Sequence, residues 1–394
     1  MEQLQLFSAV SETYAGASGP VSQTELYAAL RERGALSEAD LSDTEPVGQA
    51  RAPVNLAKRR VRWMQQTLKK AGVIEPADER GVWQLTEAAR EGAPRPVRAG
   101  VFILGFCTDM GMAVIADCHD FFQNFDEPIH LILTSPPYPL RRARAYGNVD
   151  ERRYVDWLCE TMAPAIALMA PGASLCLNVG NDVFLANSPA RSLYQERLVL
   201  ALADRFGLFK MDGLVWSSNK APGPMQWASK RRVQLNTGYE MVWWFTNDPE
   251  RVMSNNQSVL VPHSAAHLDF VRRGGERRAR QTSNGAYRMR EGAYSKPTAG
   301  KIPTNVIHAV RSGADRDKAY RDYCEAHGLA RHGASMPVAL ADFLIRFLTR
   351  QGQLVVDNFA GRCKTGLAAE RLGRRWVCVE KMADYVLGSQ AQFS

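Results

Sequence analysis

Near its C-terminal end the chain contains a strand–turn–helix–strand pattern that limits the folds open to it. The pattern consists of an apolar run at Leu354–Asp357, a turn of small residues, a helix over Leu367–Leu372 and a second apolar run at Trp376–Glu380. Short apolar runs on either side of a helix are typical of buried parallel strands. Only 14 residues follow Glu380, too few to complete such a sheet. We therefore predict an α/β fold with a Rossmann-like, doubly wound, mostly parallel sheet whose other strands come from earlier in the chain.

The turn between those two strands has features of a nucleotide-binding loop. It reads Asp357-Asn-Phe-Ala-Gly361-Arg-Cys-Lys-Thr365-Gly366 and leads directly into the helix. Small residues let a cofactor approach the backbone at the helix N-terminus, and Glu380 at the next strand end is placed to accept hydrogen bonds from ribose hydroxyls. A purely structural α/β unit is the alternative, but the combination of turn and acid favours nucleotide-type binding.

A second constellation lies much earlier in the chain, at Leu131-Ile-Leu-Thr-Ser-Pro-Pro-Tyr138. It predicts a buried strand that is stopped by two prolines, which have no N–H to continue a sheet. The Ser135 hydroxyl and two backbone carbonyls remain as acceptors beside the ring of Tyr138, an arrangement that suits a planar ligand with an amino group. In isolation, such a motif more often simply ends a strand. Together with Val114–Asp117, however, this strand is a natural candidate for the missing half of the sheet, with both turns at one carboxyl edge.

The N-terminal residues 1–95 are predicted to form a separate module. Ser22 and Glu25 form a capping box for a helix over Gln23–Arg33, and a strongly basic helix over Asn55–Ala71 precedes a β-hairpin. Helices followed by a hairpin resemble a winged helix, specifically the N-terminal module of some bacterial restriction systems. DNA contact and a purely helical packing role are both open for the basic face. A stretch rich in Pro, Gly and charge, Glu91–Gly100, is interpreted as the linker.

The composition favours a nucleic-acid partner and a reducing compartment. The net charge is +8, which favours an anionic partner, although a solvated basic surface is an alternative. The seven cysteines are scattered without a Cys-x-x-Cys pair and the histidines form no cluster, so we predict neither disulfides nor a metal site. The chain starts without a signal-peptide pattern, and no apolar run approaches the roughly 18 residues of a membrane span. We therefore expect a cytoplasmic protein with no membrane partner.

Taken together, these motifs resemble the β-class amino-methyltransferases of DNA, in which the catalytic motif precedes the cofactor motif. The resemblance covers about residues 105–385 and implies the S-adenosylmethionine-dependent methyltransferase fold with S-adenosylmethionine as cofactor. Thr134–Tyr138 is similar to the catalytic motif in its serine form, which usually accompanies transfer to N4 of cytosine. Most adenine-N6 enzymes of this class carry aspartate there.

The resemblance assigns roles to individual residues of this chain. Asp117 resembles the acid near the adenine ring, and His332–Pro337 resembles the motif that lines the methionine pocket. The predicted catalytic residues are Ser135, Pro136, Pro137 and Tyr138. The predicted cofactor-binding residues are Asp117, Thr134, His332, Ser335, Asp357, Phe359, Ala360, Gly361, Thr365 and Glu380. The predicted DNA-binding residues are Arg232, Arg272, Arg273, Arg277, Arg278 and Arg280.

The resemblance also divides the chain and suggests how the site works. Residues 101–246 form the catalytic half, 247–331 the target-recognition region and 332–394 the cofactor-binding half of the methyltransferase domain. A cytosine must be flipped out of the duplex to reach the site, where Tyr138 offers a stacking face. Ser135 Oγ and the Pro136 carbonyl are expected to accept hydrogen bonds from N4 and free its lone pair for methyl transfer. Ser135 is not expected to form a covalent bond, because no Gly-x-Ser-x-Gly elbow surrounds it.

The cofactor loop departs from the usual family sequence, Asp-Pro-Phe-Ala-Gly-Ser-(Gly or Asn)-Thr-Thr-Gly. Asn358 stands in place of the proline, and Arg362-Cys363-Lys364 replace the middle of the loop. Two outcomes are open: these bulky side chains hinder the cofactor, or they point outward.

Several functional alternatives follow from the same sequence. Adenine-N6 transfer is the runner-up activity, RNA is a weaker substrate candidate, and a non-catalytic DNA-binding protein with a decayed cofactor loop is the alternative from another class. The predicted partner is double-stranded DNA, and a cognate restriction endonuclease is a candidate partner. The sequence leaves monomer and homodimer open.

Overall fold

The computed structural model describes residues 3–47, 52–70, 73–90, 100–140, 149–217, 226–308, 314–333 and 335–393. The predicted linker Glu91–Gly100 lies, except for Gly100, outside the described residues.

The N-terminal module packs helices against a small antiparallel sheet. Its elements are α1 (Gln3–Ala15), β1 (Val21–Ser22), α2 (Gln23–Glu32), α3 (Glu38–Ser42), β2 (Glu45–Val47), β3 (Ala52–Val54), α4 (Leu56–Lys70), β4 (Ile74–Pro76), β5 (Val82–Leu85) and α5 (Glu87–Arg90). The predicted hairpin forms, with β5 between β1 and β4. The capping box of Ser22 and Glu25 starts α2 as predicted. Val61, Met64 and Leu68 of α4 are buried, whereas the arginines of this helix are exposed.

A nine-stranded sheet forms the centre of the remaining described chain. Its first half contains β6 (Ile103–Cys107), β7 (Gly111–Ile115), α6 (Cys118–Gln123), β8 (Ile129–Thr134), α7 (Tyr154–Ala167), β9 (Met169–Gly180), α8 (Tyr194–Phe206), β10 (Phe209–Ser217) and β11 (Tyr239–Thr246). The elements that follow are α9 (Ala265–Arg272), β12 (Arg280–Thr282), β13 (Tyr287–Met289), β14 (Val306–His308), α10 (Ala314–Ala326), α11 (Val338–Leu348), β15 (Leu354–Asp357), α12 (Lys364–Arg371), β16 (Arg375–Glu380) and α13 (Ala383–Ser389). Strands β12 and β13 pair only with each other, as a separate two-stranded ribbon.

The strand order confirms the predicted doubly wound, mostly parallel sheet. The order is β14-β10-β11-β9-β8-β15-β16-β7-β6, and all strands run in one direction except β6 and β11. The C-terminal strands β15 and β16 lie between β8 and β7, so the earlier strands do complete the sheet. From β8 the chain continues to β9 on one side, and from β15 it continues to β16 on the other. The carboxyl ends of β8 and β15 therefore flank the point where the winding direction changes, which is where open α/β sheets bind ligands.

Helices cover both faces of the sheet, and this explains why its central strands are continuous apolar runs. Leu131 and Leu133 of β8 belong to a core cluster that includes Leu344 of α11. Ile132, between them, belongs to a second cluster on the other face, with Leu158 of α7. Side chains of successive strand residues point to opposite faces, so a strand buried on both sides has no polar alternation.

Three local features differ from what the sequence indicates. Pro171-Gly172 is typical of a turn, but it lies within β9, where the Gly172 N–H donates to Asn247 Oδ1 at 2.9 Å and the strand continues. The helix predicted from Leu367 begins one turn earlier, at Lys364. The sequence of residues 247–331 shows no alternation of strands and helices, yet β14 joins the sheet edge beside β10. A three-residue strand such as β14 gives too short a periodicity to recognise.

Candidate active site

The carboxylate of Asp357 joins the two halves of the sheet. The Thr134 hydroxyl donates to Asp357 Oδ1 at 2.6 Å, and the Thr365 hydroxyl donates to Oδ2 at 2.6 Å. The Phe359 N–H donates to Oδ1 at 3.2 Å. Burial raises the pKa of Asp357 to about 6, while the two threonines act in the opposite direction. Asp357, Thr134 and Thr365 lie inside the protein, so they shape the cofactor loop from behind.

Glu380 holds the tip of the same loop. Its Oε2 accepts from the Gly361 N–H at 2.8 Å and its Oε1 from the Met382 N–H at 2.9 Å. A carboxylate has about four lone-pair sites, so Glu380 retains capacity to accept from a further donor. Burial raises the pKa of Glu380 to about 7. Gly361 has a φ of 52°, and a Cβ there would lie 3.2 Å from the His332 ring, so this position favours glycine.

The three residues that replace the middle of the family loop, Arg362, Cys363 and Lys364, point into the protein and not outward. The Arg362 guanidinium lies 4.9 Å from the Tyr320 ring centroid, and its Nε donates to Ser335 Oγ at 3.0 Å. Cys363 is fully buried with a φ of 53°, and Lys364 is buried at the start of α12. Of the two outcomes that the sequence left open, the structure therefore excludes the one in which these side chains point outward. Arg362 instead connects the cofactor loop to α10 and to the segment before α11.

The remaining predicted cofactor residues lie at the same edge of the sheet. His332 contacts Gly361 and packs edge-on against Tyr385, with ring centroids 4.8 Å apart. Asp117 follows β7, caps α6 by accepting from the His119 N–H at 3.0 Å, and is partly exposed. Phe359 packs near Trp157, and Ala360 is buried. The structure thus brings together the residues that the sequence assigned to the cofactor.

The surroundings of the Asn358 side chain indicate whether the carboxyl edge of the sheet suits a polar ligand. Its side chain is 2% exposed, and neither amide atom has a hydrogen-bond partner among the described residues. Leaving a buried polar group unsatisfied costs about 1–3 kcal/mol. An unsatisfied amide next to Asp357, at the carboxyl end of β15, fits a site that is completed by a polar cofactor.

The Ser-Pro-Pro-Tyr corner follows β8 and contains a hydrogen-bond network centred on Tyr138. Its hydroxyl lies 3.0 Å from Glu240 Oε2, 3.3 Å from Asn178 Oδ1 and 3.2 Å from Ser135 Oγ. Gly180 lies against the ring, since a Cβ there would be 2.6 Å from Tyr138 Cε2. Burial, followed by the Glu240 charge, raises the pKa of Tyr138 well above its ordinary value. The tyrosine is therefore protonated and fixed in position.

Glu240 and Asn178, on the adjacent strands β11 and β9, were not among the site residues predicted from the sequence. The one available signal for Glu240 was a lone acid at the start of an otherwise apolar, aromatic strand. The network determines how the hydroxyl protons are arranged. Glu240 and Asn178 Oδ1 can only accept, so the Tyr138 proton is directed to them and Ser135 donates to the Tyr138 oxygen. The lone pairs of Ser135 Oγ are then left to accept from a ligand.

The predicted DNA-binding arginines lie in surface segments that the structure describes. Arg272 and Arg273 pair with Asp269, and Arg280 pairs with Glu276 at 3.0 Å. The remaining three, Arg232, Arg277 and Arg278, are exposed. Exposed ion pairs are weak, so the paired arginines also remain able to contact phosphate.

The described part of the chain contains no group of three or more His, Cys, Asp or Glu side chains that could hold a metal ion. Among its helices, none is both long enough and apolar enough to cross a bilayer.

The fold and the site together define the class of S-adenosylmethionine-dependent methyltransferases. Comparison with known proteins supports this assignment. The sequence model of a family described as DNA methylase matches residues 129–391. The chain is 31% identical over 290 residues to the type II methyltransferase M.PvuII of Proteus hauseri, covering 73% of this chain and 85% of that protein. The chain therefore belongs to the DNA methylase family.

Two further relatives and one domain match complete the comparison. M.ScaI of Streptomyces caespitosus is 25% identical over 259 residues, covering 65% of this chain and 72% of that methyltransferase. The solved structure of PvuII DNA methyltransferase (cytosine-N4-specific) is similar with a TM-score of 0.57 and 28% identity, covering 75% of this chain and 90% of that one. The model of the Mrr N-terminal domain matches residues 5–94, which cover most of the predicted N-terminal module.

Proposed function

We propose that this protein transfers a methyl group from S-adenosylmethionine to N4 of a flipped-out cytosine in double-stranded DNA. The observation that carries the proposal is the Ser135–Tyr138 corner at the carboxyl end of β8, beside the cofactor loop that follows β15. The serine form of the motif and the similarity to a cytosine-N4-specific enzyme favour cytosine over adenine.

The cofactor would be held by the loop over Asp357–Gly361, by Glu380 and by Asp117. Glu380 would accept hydrogen bonds from ribose hydroxyls through its remaining lone pairs. Asn358 would gain partners from the cofactor's polar groups, and His332 would close the loop side of the pocket. When bound, S-adenosylmethionine supplies an electrophilic methyl group on a positively charged sulfur.

The catalytic corner would increase the nucleophilicity of N4. The lone pair of the amino nitrogen is delocalised into the cytosine ring, and acceptors aimed at both hydrogens draw the nitrogen towards tetrahedral geometry. Ser135 Oγ and the Pro136 carbonyl are those acceptors, and the two prolines hold them rigid, so little reorganisation is needed. Transfer then depends chiefly on the positioning of the two reactants.

The same network gives the released proton a route. As N4 gains the methyl group, its proton passes to Ser135 Oγ, the Ser135 proton passes to the Tyr138 oxygen, and the Tyr138 proton passes to the Glu240 carboxylate. The spacing of 3.2 Å from Ser135 to Tyr138 and 3.0 Å from Tyr138 to Glu240 supports this route. It ends on the Glu240 carboxylate and needs no ionised serine or tyrosine.

DNA contact is proposed for the arginine-rich region within 247–331 and for the N-terminal module. The exposed basic face of α4, with the β4–β5 hairpin beside it, supports a winged-helix-like role in DNA contact. A role in a restriction–modification system in the bacterial cytoplasm, alongside a cognate endonuclease, belongs to the same proposal and is supported by the type II relatives.

The experiment that tests the function uses duplex DNA and S-adenosylmethionine with a labelled methyl group. The wild-type protein should transfer label to DNA, and Ser135→Ala should reduce transfer sharply. Both proteins should bind cofactor and DNA with similar affinity, because the proposed contact of Ser135 with the substrate is confined to the reacting amino group. Equal transfer by the two proteins would remove Ser135 from the mechanism, and absence of cofactor binding would favour a non-catalytic DNA-binding protein.

A further inference from the structure

The β12–β13 ribbon has a geometry that the arginine-rich sequence alone does not convey. The register pairs Arg280 with Met289, Gln281 with Arg288 and Thr282 with Tyr287. Cross-strand partners point to the same face of a ribbon, and successive residues point to opposite faces. Gln281 and Arg288 therefore share one face.

The other face is identified by its burial. Met289 is half-buried, whereas the other five strand residues are exposed. Met289 and Tyr294 line a cleft of about 510 Å³, and Arg288 borders the same cleft. Gln281 and Arg288 are both exposed and lie on the face of the ribbon opposite to Met289.

The ribbon has no core of its own. A two-stranded hairpin with both faces in water is only marginally stable, so an exposed ribbon of this kind suits a partner that covers it. The 262–300 segment that carries the ribbon is closed at its base by paired backbone hydrogen bonds between Val261 and Lys301, at 3.0 and 2.8 Å.

The charge around the ribbon indicates the partner. Arg277, Arg278, Arg288 and Arg290 are exposed, and none of them has an ion-pair partner within the described residues. Four uncompensated positive charges beside a narrow ribbon complement the phosphates of a duplex. A two-stranded ribbon fits the major groove, which is about 12 Å wide.

We propose that the β12–β13 ribbon enters the major groove and that Gln281 and Arg288 read base edges there. Arginine pairs with the O6 and N7 acceptors of guanine, and glutamine pairs with N6 and N7 of adenine, each through two hydrogen bonds. Arg277 and Arg278 lie before the ribbon and contact phosphate, which positions it without reading sequence. This inference rests on the proposed function, since it names how the same enzyme selects its target.

The test uses a pool of duplexes with randomised bases, methylated with S-adenosylmethionine and sequenced for methylated positions. The wild-type profile is compared with those of Arg288→Ala, Gln281→Ala and the double variant Arg277→Ala/Arg278→Ala. Arg321→Ala, an exposed arginine on α10, is the matched control. Cofactor affinity, measured in parallel, reports whether each variant is folded.

Arg288→Ala should lose discrimination for guanine at one target position by about tenfold to a hundredfold, and Gln281→Ala should do the same for adenine. The salt dependence of their DNA binding should stay close to that of wild type. Arg277→Ala/Arg278→Ala should keep the sequence profile and bind all duplexes more weakly. The slope of the logarithm of its DNA-binding constant against the logarithm of salt concentration should become shallower by up to about two. Arg321→Ala should match wild type in every measurement.

Three results would overturn the inference. If Arg288→Ala and Gln281→Ala both methylated the same sequences as the wild-type protein, base reading by these side chains would be excluded. A uniform loss of methylation on all sequences would exclude it as well. If the ribbon variants changed their oligomeric state and kept the wild-type profile of methylated sequences, the ribbon would be a contact with a second copy of the chain. If the wild-type protein methylates no duplex, the proposed function itself fails, and that outcome is distinct from a retained profile in the variants.

Discussion

The hydroxyl of Thr134 lies 2.6 Å from a carboxylate oxygen of Asp357, although the two residues are 223 positions apart in the sequence. Thr134 ends the strand that leads to the proposed catalytic corner, and Asp357 ends the strand that leads to the proposed cofactor loop. This contact fixes the two loops relative to each other at the point where the winding of the sheet changes direction.

Thr134→Val should therefore destabilise both the fold and the cofactor site. Removing a hydrogen bond to a buried carboxylate costs about 1–3 kcal/mol. The loss of unfolding free energy should be larger at pH 8 than at pH 5, because the pKa of Asp357 is about 6 and the hydrogen bond from Thr134 favours the ionised carboxylate. Denaturant unfolding at the two pH values measures the effect. Thr161→Val, which removes a hydroxyl bonded to a helix carbonyl on α7, is the control; equal losses in the two variants would contradict this role of Thr134.

Glu240→Gln should slow methyl transfer by about a hundredfold or more, because the proton route from Ser135 through Tyr138 then lacks its final acceptor. Tyr138→Phe should cause a comparable loss, and the double variant should lose little more, since both changes interrupt one route. Single-turnover transfer, with cofactor and DNA affinities measured separately, checks this prediction. Glu196→Gln, an exposed acid on α8, should behave like wild type. Additive losses in the double variant would contradict a shared route.

Cofactor binding should release protons near neutral pH. The pKa of Glu380 is raised to about 7 by burial, so ionisation is disfavoured in the ligand-free folded protein. The free energy of unfolding should accordingly fall as pH rises from about 4, the ordinary glutamate value, towards 7. Ribose hydroxyls donate to the ionised form, so binding at pH 7 should release about half a proton from this residue.

Calorimetric titrations in two buffers with different ionisation enthalpies measure that release. Glu380→Gln should bind the cofactor more weakly, and its binding should release about half a proton fewer at pH 7 than that of the wild-type protein. Identical apparent enthalpies for the wild-type protein in both buffers would show that Glu380 does not change its protonation on binding.

Arg362→Ala tests whether the unusual loop sequence supports the cofactor site or obstructs it. The guanidinium contacts the Tyr320 ring and Ser335, so its removal should loosen the loop and weaken cofactor binding about tenfold, or ~1.4 kcal/mol. Arg371→Ala, at the exposed end of α12, should have little effect. Tighter cofactor binding by Arg362→Ala would mean that the arginine obstructs the pocket.

The sequence was sufficient to predict the sheet because its central strands are covered on both faces. The apolar runs that lead to Thr134 and Asp357 are each buried on both sides, and the structure pairs β15 with β8 and β16 with β7. The residues predicted to bind the cofactor lie at one edge of the sheet for a similar reason, since Asp117, Asp357 and Glu380 end or follow parallel strands whose carboxyl ends meet there.

The contacts that the sequence could not supply are those between strands and loops that are distant along the chain. Glu240 reaches Tyr138 across 102 positions, and its only local signal was a single acid in an aromatic strand. The direction of Arg362 depends on Tyr320 of α10, a helix that the sequence analysis did not identify. Neither the period of a strand nor the composition of a loop carries such information.

Identification of the methylated base decides whether the proposed function is correct. Duplex DNA methylated by the wild-type protein, with Ser135→Ala as the control, is digested to nucleosides and analysed by mass spectrometry. We predict N4-methylcytosine with the wild-type protein and almost none with the variant. N6-methyladenine in its place, or no methylated nucleoside at all, would contradict transfer to N4 of cytosine.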